Sequence, residues 1–158
     1  HPFYVSDAMP ADLQATVSQL AAASSEALRA LADRLRGNLA TVHLELEAGL
    51  FWTSHRMFHD FTPALHEALA RSDLVVLKGD VNYRRLLGDR HWPHTRPMEQ
   101  VAADFPAPFL VLRTLKGEIQ VGLAPGQARA LAAEDPDWLI NGQRGLIQYV
   151  NRANQGPQ

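Results

Sequence analysis

The sequence contains no cysteine among its 158 residues. That absence excludes a disulfide scaffold, a thiolate zinc site and a cysteine nucleophile. An excess of charge of one sign is also missing. With 15 Lys+Arg against 17 Asp+Glu the formal charge is −2, which removes the electrostatic case for nucleic acid or for an anionic membrane surface. No apolar run reaches the roughly 18 residues that a membrane span needs. No Walker pattern is present, and no Ser or Thr sits in a nucleophile-elbow context. The opening His1-Pro2-Phe3 has neither a charged n-region nor an apolar h-region, so it does not read as a signal peptide. It begins on His with a strand-like run, which suggests a piece of something longer.

What is present reads as one globular domain. The chain is 46% apolar and 20% charged, long enough to bury a core and too apolar to stay disordered. Phe3-Tyr4-Val5-Ser6-Asp7 is a short strand-like run that closes on a carboxylate. Leu13, Val17 and Leu20, then Leu28, Leu31, Leu35 and Leu39, recur at helical spacing. They predict two helices over about 11–23 and 25–37, with Gly37-Asn38 as the stop. Residues 41–47 alternate, with Val42, Leu44 and Leu46 on one side, and predict a half-buried edge strand. Pro63 opens a helix to about Ala70. Leu74-Val75-Val76-Leu77, Phe109-Leu110-Val111-Leu112 and Leu146-Ile147-Gln148-Tyr149-Val150 are short apolar runs of the kind buried on both faces of a sheet. Strands alternating with helices predict a three-layer, mainly parallel α/β sheet over 1–150, with 151–158 a frayed tail.

In such sheets ligands bind beyond the carboxyl ends of the strands. The apolar runs end in Asp7, in Lys78 and Asp80, and in Arg113 and Lys116. Two carboxylates and three cations on one rim suit an anionic substrate beside a metal ion. Gly79 allows a positive φ directly after a strand. Asp80 is placed to cap the next helix, whose first N–H groups also suit a phosphate. In Arg113-Thr114-Leu115-Lys116, strand alternation sets Arg113 on one side and Lys116 on the other. Lys116 is therefore expected in the cleft, and Arg113 to serve stability more than kinetics. His55 and His59 have i, i+4 spacing but lack the Glu of a zincin motif and an evident third ligand. Trp92 reads as a packing anchor, and His91 and His94 as surface groups.

Several of these segments resemble the damage-control phosphatase family (domain of unknown function 89). They are the run 73–84, Gly88-Asp89-Arg90, Pro106-Ala107-Pro108, Arg113-Thr114-Leu115-Lys116 and the run 120–127. Phe3-Tyr4-Val5-Ser6-Asp7 and Leu50-Phe51-Trp52-Thr53 add to the likeness. The Arg-Thr-x-Lys motif marks the branch acting on sugar phosphates. The resemblance implies a cytoplasmic, metal-dependent hydrolase of hexose phosphates such as fructose 1-phosphate and fructose 6-phosphate, using Mn²⁺, Co²⁺ or Ni²⁺. It implies Asp7 as a metal ligand, Asp7 and Asp80 as catalytic carboxylates, and Asp80, Val81, Asn82, Tyr83, Arg84 and Lys116 as the substrate contacts. The family's other ligands form an Asp-Asn pair, and no Asp-Asn dipeptide occurs here. The pair and a helical N-terminal domain are then expected upstream, as a segment of the same protein, leaving this part weakly active alone. The resemblance also implies, as an alternative, a protein-glutamate carboxyl methyltransferase using S-adenosylmethionine, but no glycine-rich loop for such a donor is evident. A non-catalytic phospho-ligand module is the remaining alternative.

Overall fold

The computed structural model describes residues 8–151. Asp7, the run 3–7 that it closes and most of the tail at 151–158 lie outside the described residues. The chain forms two compact units, residues 1–55 and 56–158.

In the first unit, helix α1 (Pro10–Ala21) packs on helix α2 (Glu26–Ala40). Pro10 occupies the first turn of α1, where its missing N–H costs nothing. Asp12 accepts from the Met9 amide at 2.7 Å. Arg29 Nη1 donates to the carbonyls of Ala23 and Ser24, both at 2.8 Å, which closes the turn between the helices. The helix runs past the expected stop. Gly37 sits in open space inside α2, and the capping hydrogen bond is made instead by the Thr41 amide to Gly37 O. The strand expected over 41–47 does not form. Val42 takes φ 60°, and Leu44 N donates back to Asn38 O at 3.1 Å. Alternation alone does not make a strand; the ladder needs a partner, and none of the described strands pairs with this segment.

In the second unit, helix α3 (Pro63–Ala70) opens with Thr62 Oγ1 accepting from Leu65 N at 3.3 Å. Then follow β1 (Val75–Lys78), α4 (Asp80–Leu86), α5 (Met98–Val101), β2 (Phe109–Thr114), α6 (Gln127–Glu134) and β3 (Gly145–Val150). The sheet order is β1-β2-β3. β1 pairs with β2 in parallel, Val75 opposite Phe109 and Lys78 opposite Leu112. β3 runs antiparallel to β2, with Thr114 opposite Gly145. The sheet is therefore mixed where a mainly parallel one was expected.

One face of this sheet carries the core. Leu77, Phe109, Val111 and Val150 are buried there, with Phe105, Tyr83, Leu87 and Ala107 against them. Phe105 meets Phe109 edge to face at 5.0 Å and Phe58 at 5.9 Å. The other face is open, contrary to the reading of strands buried on both faces. Val76 and Tyr149 share a row through Leu110, and they are 51% and 60% exposed; Ile147 is 76% exposed. The apolar runs record the chemistry of both faces, but the helices of this unit cover only one.

Candidate functional site

Parallel pairing brings the carboxyl ends of β1 and β2 to the same rim, as the sequence predicts for Lys78 and Thr114. At the end of β1 the chain turns through Gly79, whose φ of 96° and ψ of 166° belong to a region open essentially to glycine. A Cβ there would meet no atom within 4 Å, so the constraint is one of backbone conformation alone. Gly79→Ala is expected to destabilise the protein by about 1–3 kcal/mol. Chemical denaturation checks it, and an unchanged midpoint would show that the turn relaxes freely.

Asp80 follows as the first helical residue of α4. It does not cap the helix: the N-cap is Gly79, and no side chain bonds to the helix start. Its carboxylate is used elsewhere. Arg113 Nε donates to Asp80 Oδ1 at 2.7 Å, and Arg113 Nη2 lies 2.7 Å from the same oxygen. Arg113 Nη2 also donates to Gly117 O at 3.0 Å, and Nη1 donates to Ile119 O. The Arg113 side chain is 0% exposed, and its guanidinium lies 4.3 Å from the centroid of the Tyr83 ring. Asp80 Oδ2 makes no hydrogen bond among the described residues.

Tyr83 is fully buried. Its hydroxyl accepts from Val121 N at 3.1 Å, which ties α4 to the segment after β2. Burial pushes the phenol above its ordinary pKa, against the opposing pull of the Val121 hydrogen bond and the Arg113 charge. A side chain so enclosed serves the site by fixing α4, and only its backbone is left for ligand contact. Asn82 Nδ2 donates to Lys78 O at 2.8 Å. Arg84 is held in a fork by Asp89, Nε to Oδ1 at 2.7 Å and Nη2 to Oδ2 at 2.9 Å. Asp89 itself has φ 52°, a conformation that a short polar side chain tolerates.

Lys116, two residues past the end of β2, is exposed. It has no carboxylate partner among the described residues. Gly117, next to it, approaches Asp80: a Cβ there would lie 3.9 Å from both carboxylate oxygens. A hollow of about 290 Å³ opens between Arg84, Asp89, His91, Arg113 and residues 117–119. Of the run 80–84 only Arg84 lines it, and Lys116, expected in a cleft, lines neither this hollow nor those of about 330 and 430 Å³.

The structure thus carries Asp80, Val81, Asn82, Tyr83 and Arg84 on one short helix, Asp80 in its first turn and Arg84 in its last, and sets the turn after Lys116 beside Asp80. Asp7 lies outside the described residues. Among the described residues no three His, Asp or Glu side chains converge as a metal site, so they do not fit a metal ion on their own. His59 lies in a short 3-10 turn (Phe58–Asp60) that does not extend to His55. Trp92 does anchor its loop, donating Nε1 to Leu87 O at 3.0 Å. His94, expected at the surface, is half-buried and its Nδ1 lies 2.9 Å from Gln120 O.

Arg113 is the group that sequence reasoning assigned to stability. Its side chain is buried, and Asp80 arrives to meet it. The signal was available: an arginine on the inward face of an apolar strand demands a carboxylate or carbonyl partner. The sequence separation of 33 between Arg113 and Asp80 conceals which one.

These features form one rim of an α/β unit built from two segments, a glycine turn into a helix and the turn at Lys116-Gly117 after the neighbouring parallel strand. The profile of the damage-control phosphatase ARMT1-like domain matches residues 1–131, and the chain belongs to that family. It is 39% identical over 154 residues to damage-control phosphatase ARMT1 of Xenopus tropicalis, covering 93% of this chain and 34% of that protein. The Danio rerio protein of the same name is 38% identical over 152 residues, 94% of this chain and 34% of its own length. The human one is 43% identical over 104 residues, 63% of this chain and 24% of its own. The chain spans about a third of the length of the first two of these relatives.

Proposed function

We propose that this chain carries the substrate-binding part of a phosphatase acting on hexose phosphates of the fructose 1-phosphate and fructose 6-phosphate class. The observation that supports it is the meeting of the run 80–84 with the turn after Lys116. Lys116 offers an exposed ammonium, a point charge for phosphoryl oxygens whose negative charge grows during transfer. Asp80, fixed through Oδ1, offers Oδ2 as an acceptor for a sugar hydroxyl. Membership of a damage-control phosphatase family supports hydrolysis as the reaction.

The reading includes a divalent cation, Mn²⁺, Co²⁺ or Ni²⁺, with Asp7 as one ligand. Since the described residues do not converge on a metal, the remaining ligands are assigned to an upstream segment of the same protein. A metal ion would supply Lewis-acid polarisation of the phosphoryl group. The three-layer sheet belongs to the same reading, with the open face of β1, β2 and β3 covered in the longer protein. Phosphate release from fructose 1-phosphate and fructose 6-phosphate, with each metal and with chelator, tests it in a protein of the relatives' length. Metal-dependent release, with sugar phosphates preferred over simple aryl phosphates, is the expected result. Release from neither sugar phosphate under any metal would overturn the substrate assignment.

A further inference from the structure

We propose that Arg113 is a positioning residue that holds the two substrate-binding segments in register. The inference deepens the phosphatase reading above and rests on it for its kinetic arm. Its ground is geometric. One buried guanidinium contacts Asp80 in the first segment and the carbonyls of Gly117 and Ile119 in the second. Tyr83, stacked on that guanidinium, adds a second tie through its hydroxyl to Val121 N. Together these bonds fix the spacing between Asp80 and the turn after Lys116.

The planar fork is what the arrangement uses. Arginine presents donors in fixed directions, whereas a lysine ammonium is a point charge on a flexible stem. Arg113→Lys keeps the cation, and hence a partner for Asp80, but cannot reach Asp80, Gly117 and Ile119 together. A role in charge neutralisation alone would survive that change; a role in registration would not. The loss of charge-assisted contacts in register corresponds to roughly ten- to a hundredfold in kcat/KM.

The test has two arms. In a protein of the relatives' length, kcat and KM for fructose 1-phosphate are measured for Arg113→Lys, Lys116→Ala and the double variant, well below their melting temperatures. Because Arg113 acts through the Lys116 turn, the two losses should be less than multiplicative in kcat/KM. A merely structural arginine would give independent, multiplicative losses, and that result, or unchanged kinetics in Arg113→Lys, overturns the proposal. The second arm needs no activity. Hydrogen exchange on the 158-residue chain should show amides 117–121 opening about tenfold faster in Arg113→Lys, with β3 unchanged. If Arg113→Lys fails to fold, Asp80→Asn replaces it, since it keeps an acceptor at Oδ1 while removing the ion pair; the same amides should open faster. Unchanged exchange at 117–121 overturns the coupling. Absence of phosphate release from the wild type would sink the phosphatase reading alone, and the exchange arm would still decide the role of Arg113.

Discussion

Asp7→Ala, made in a protein of the relatives' length, should lower metal-dependent phosphate release at least a thousandfold and leave the melting temperature nearly unchanged. The carboxylate closes an aromatic and β-branched run, Phe3-Tyr4-Val5-Ser6, where packing gives no reason for a charge. A divalent ion held by few protein ligands loses most of its affinity with one of them, since affinity rises with ligand number and charge. The described residues offer no substitute cluster. For the same reason the 158-residue chain by itself should bind Mn²⁺ or Co²⁺ weakly. Calorimetry with Mn²⁺ on the short and the long protein, with phosphate release on each, measures both effects. Tight Mn²⁺ binding by the short chain would relocate the metal site, with His55 and His59 the first groups to substitute. Full turnover by Asp7→Ala would remove that carboxylate from the chemistry.

The sequence made the rim legible and left its wiring hidden. The apolar runs at 74–77 and 109–112 announce strands, and their charged ends mark the site, because strand burial and strand termination are local properties of the chain. Gly79 was readable for the same reason, as a turn that needs a positive φ. The pairing partner of each strand is not a local property. β3 looks like β1 in composition, yet it runs antiparallel, and nothing in Leu146-Ile147-Gln148-Tyr149-Val150 states its direction. The alternating run 41–47 has a strand's pattern without a ladder to join, and the chain turns back on α2 instead. Asp80 shows the limit most sharply. Its position before a helix suggested a cap, a contact within three residues. The stronger partner was the buried guanidinium 33 residues on, and a desolvated cation outcompetes a cap that glycine can replace at little cost.

Lys116→Ala should reduce kcat/KM for a sugar phosphate roughly ten- to a hundredfold, the equivalent of about 1.5–3 kcal/mol for one charge-assisted contact to phosphate. The structure separates this effect from stability. Lys116 is exposed and has no ion-pair partner among the described residues. Its truncation strands no buried group, so the unfolding free energy should stay within about 0.5 kcal/mol. Arg113 is the contrast: fully buried, with its donors shared among three acceptors, it cannot be removed without leaving them unpaired. Lys116→Arg should recover part of the loss, because the charge remains while the shape of the donor changes. Steady-state kinetics on the two variants, beside their denaturation midpoints, resolve the effects. Unaltered kcat/KM in Lys116→Ala would take this residue out of the site. A fall in activity matched by a fall in stability would mean that the side chain supports the turn at Gly117 rather than the substrate.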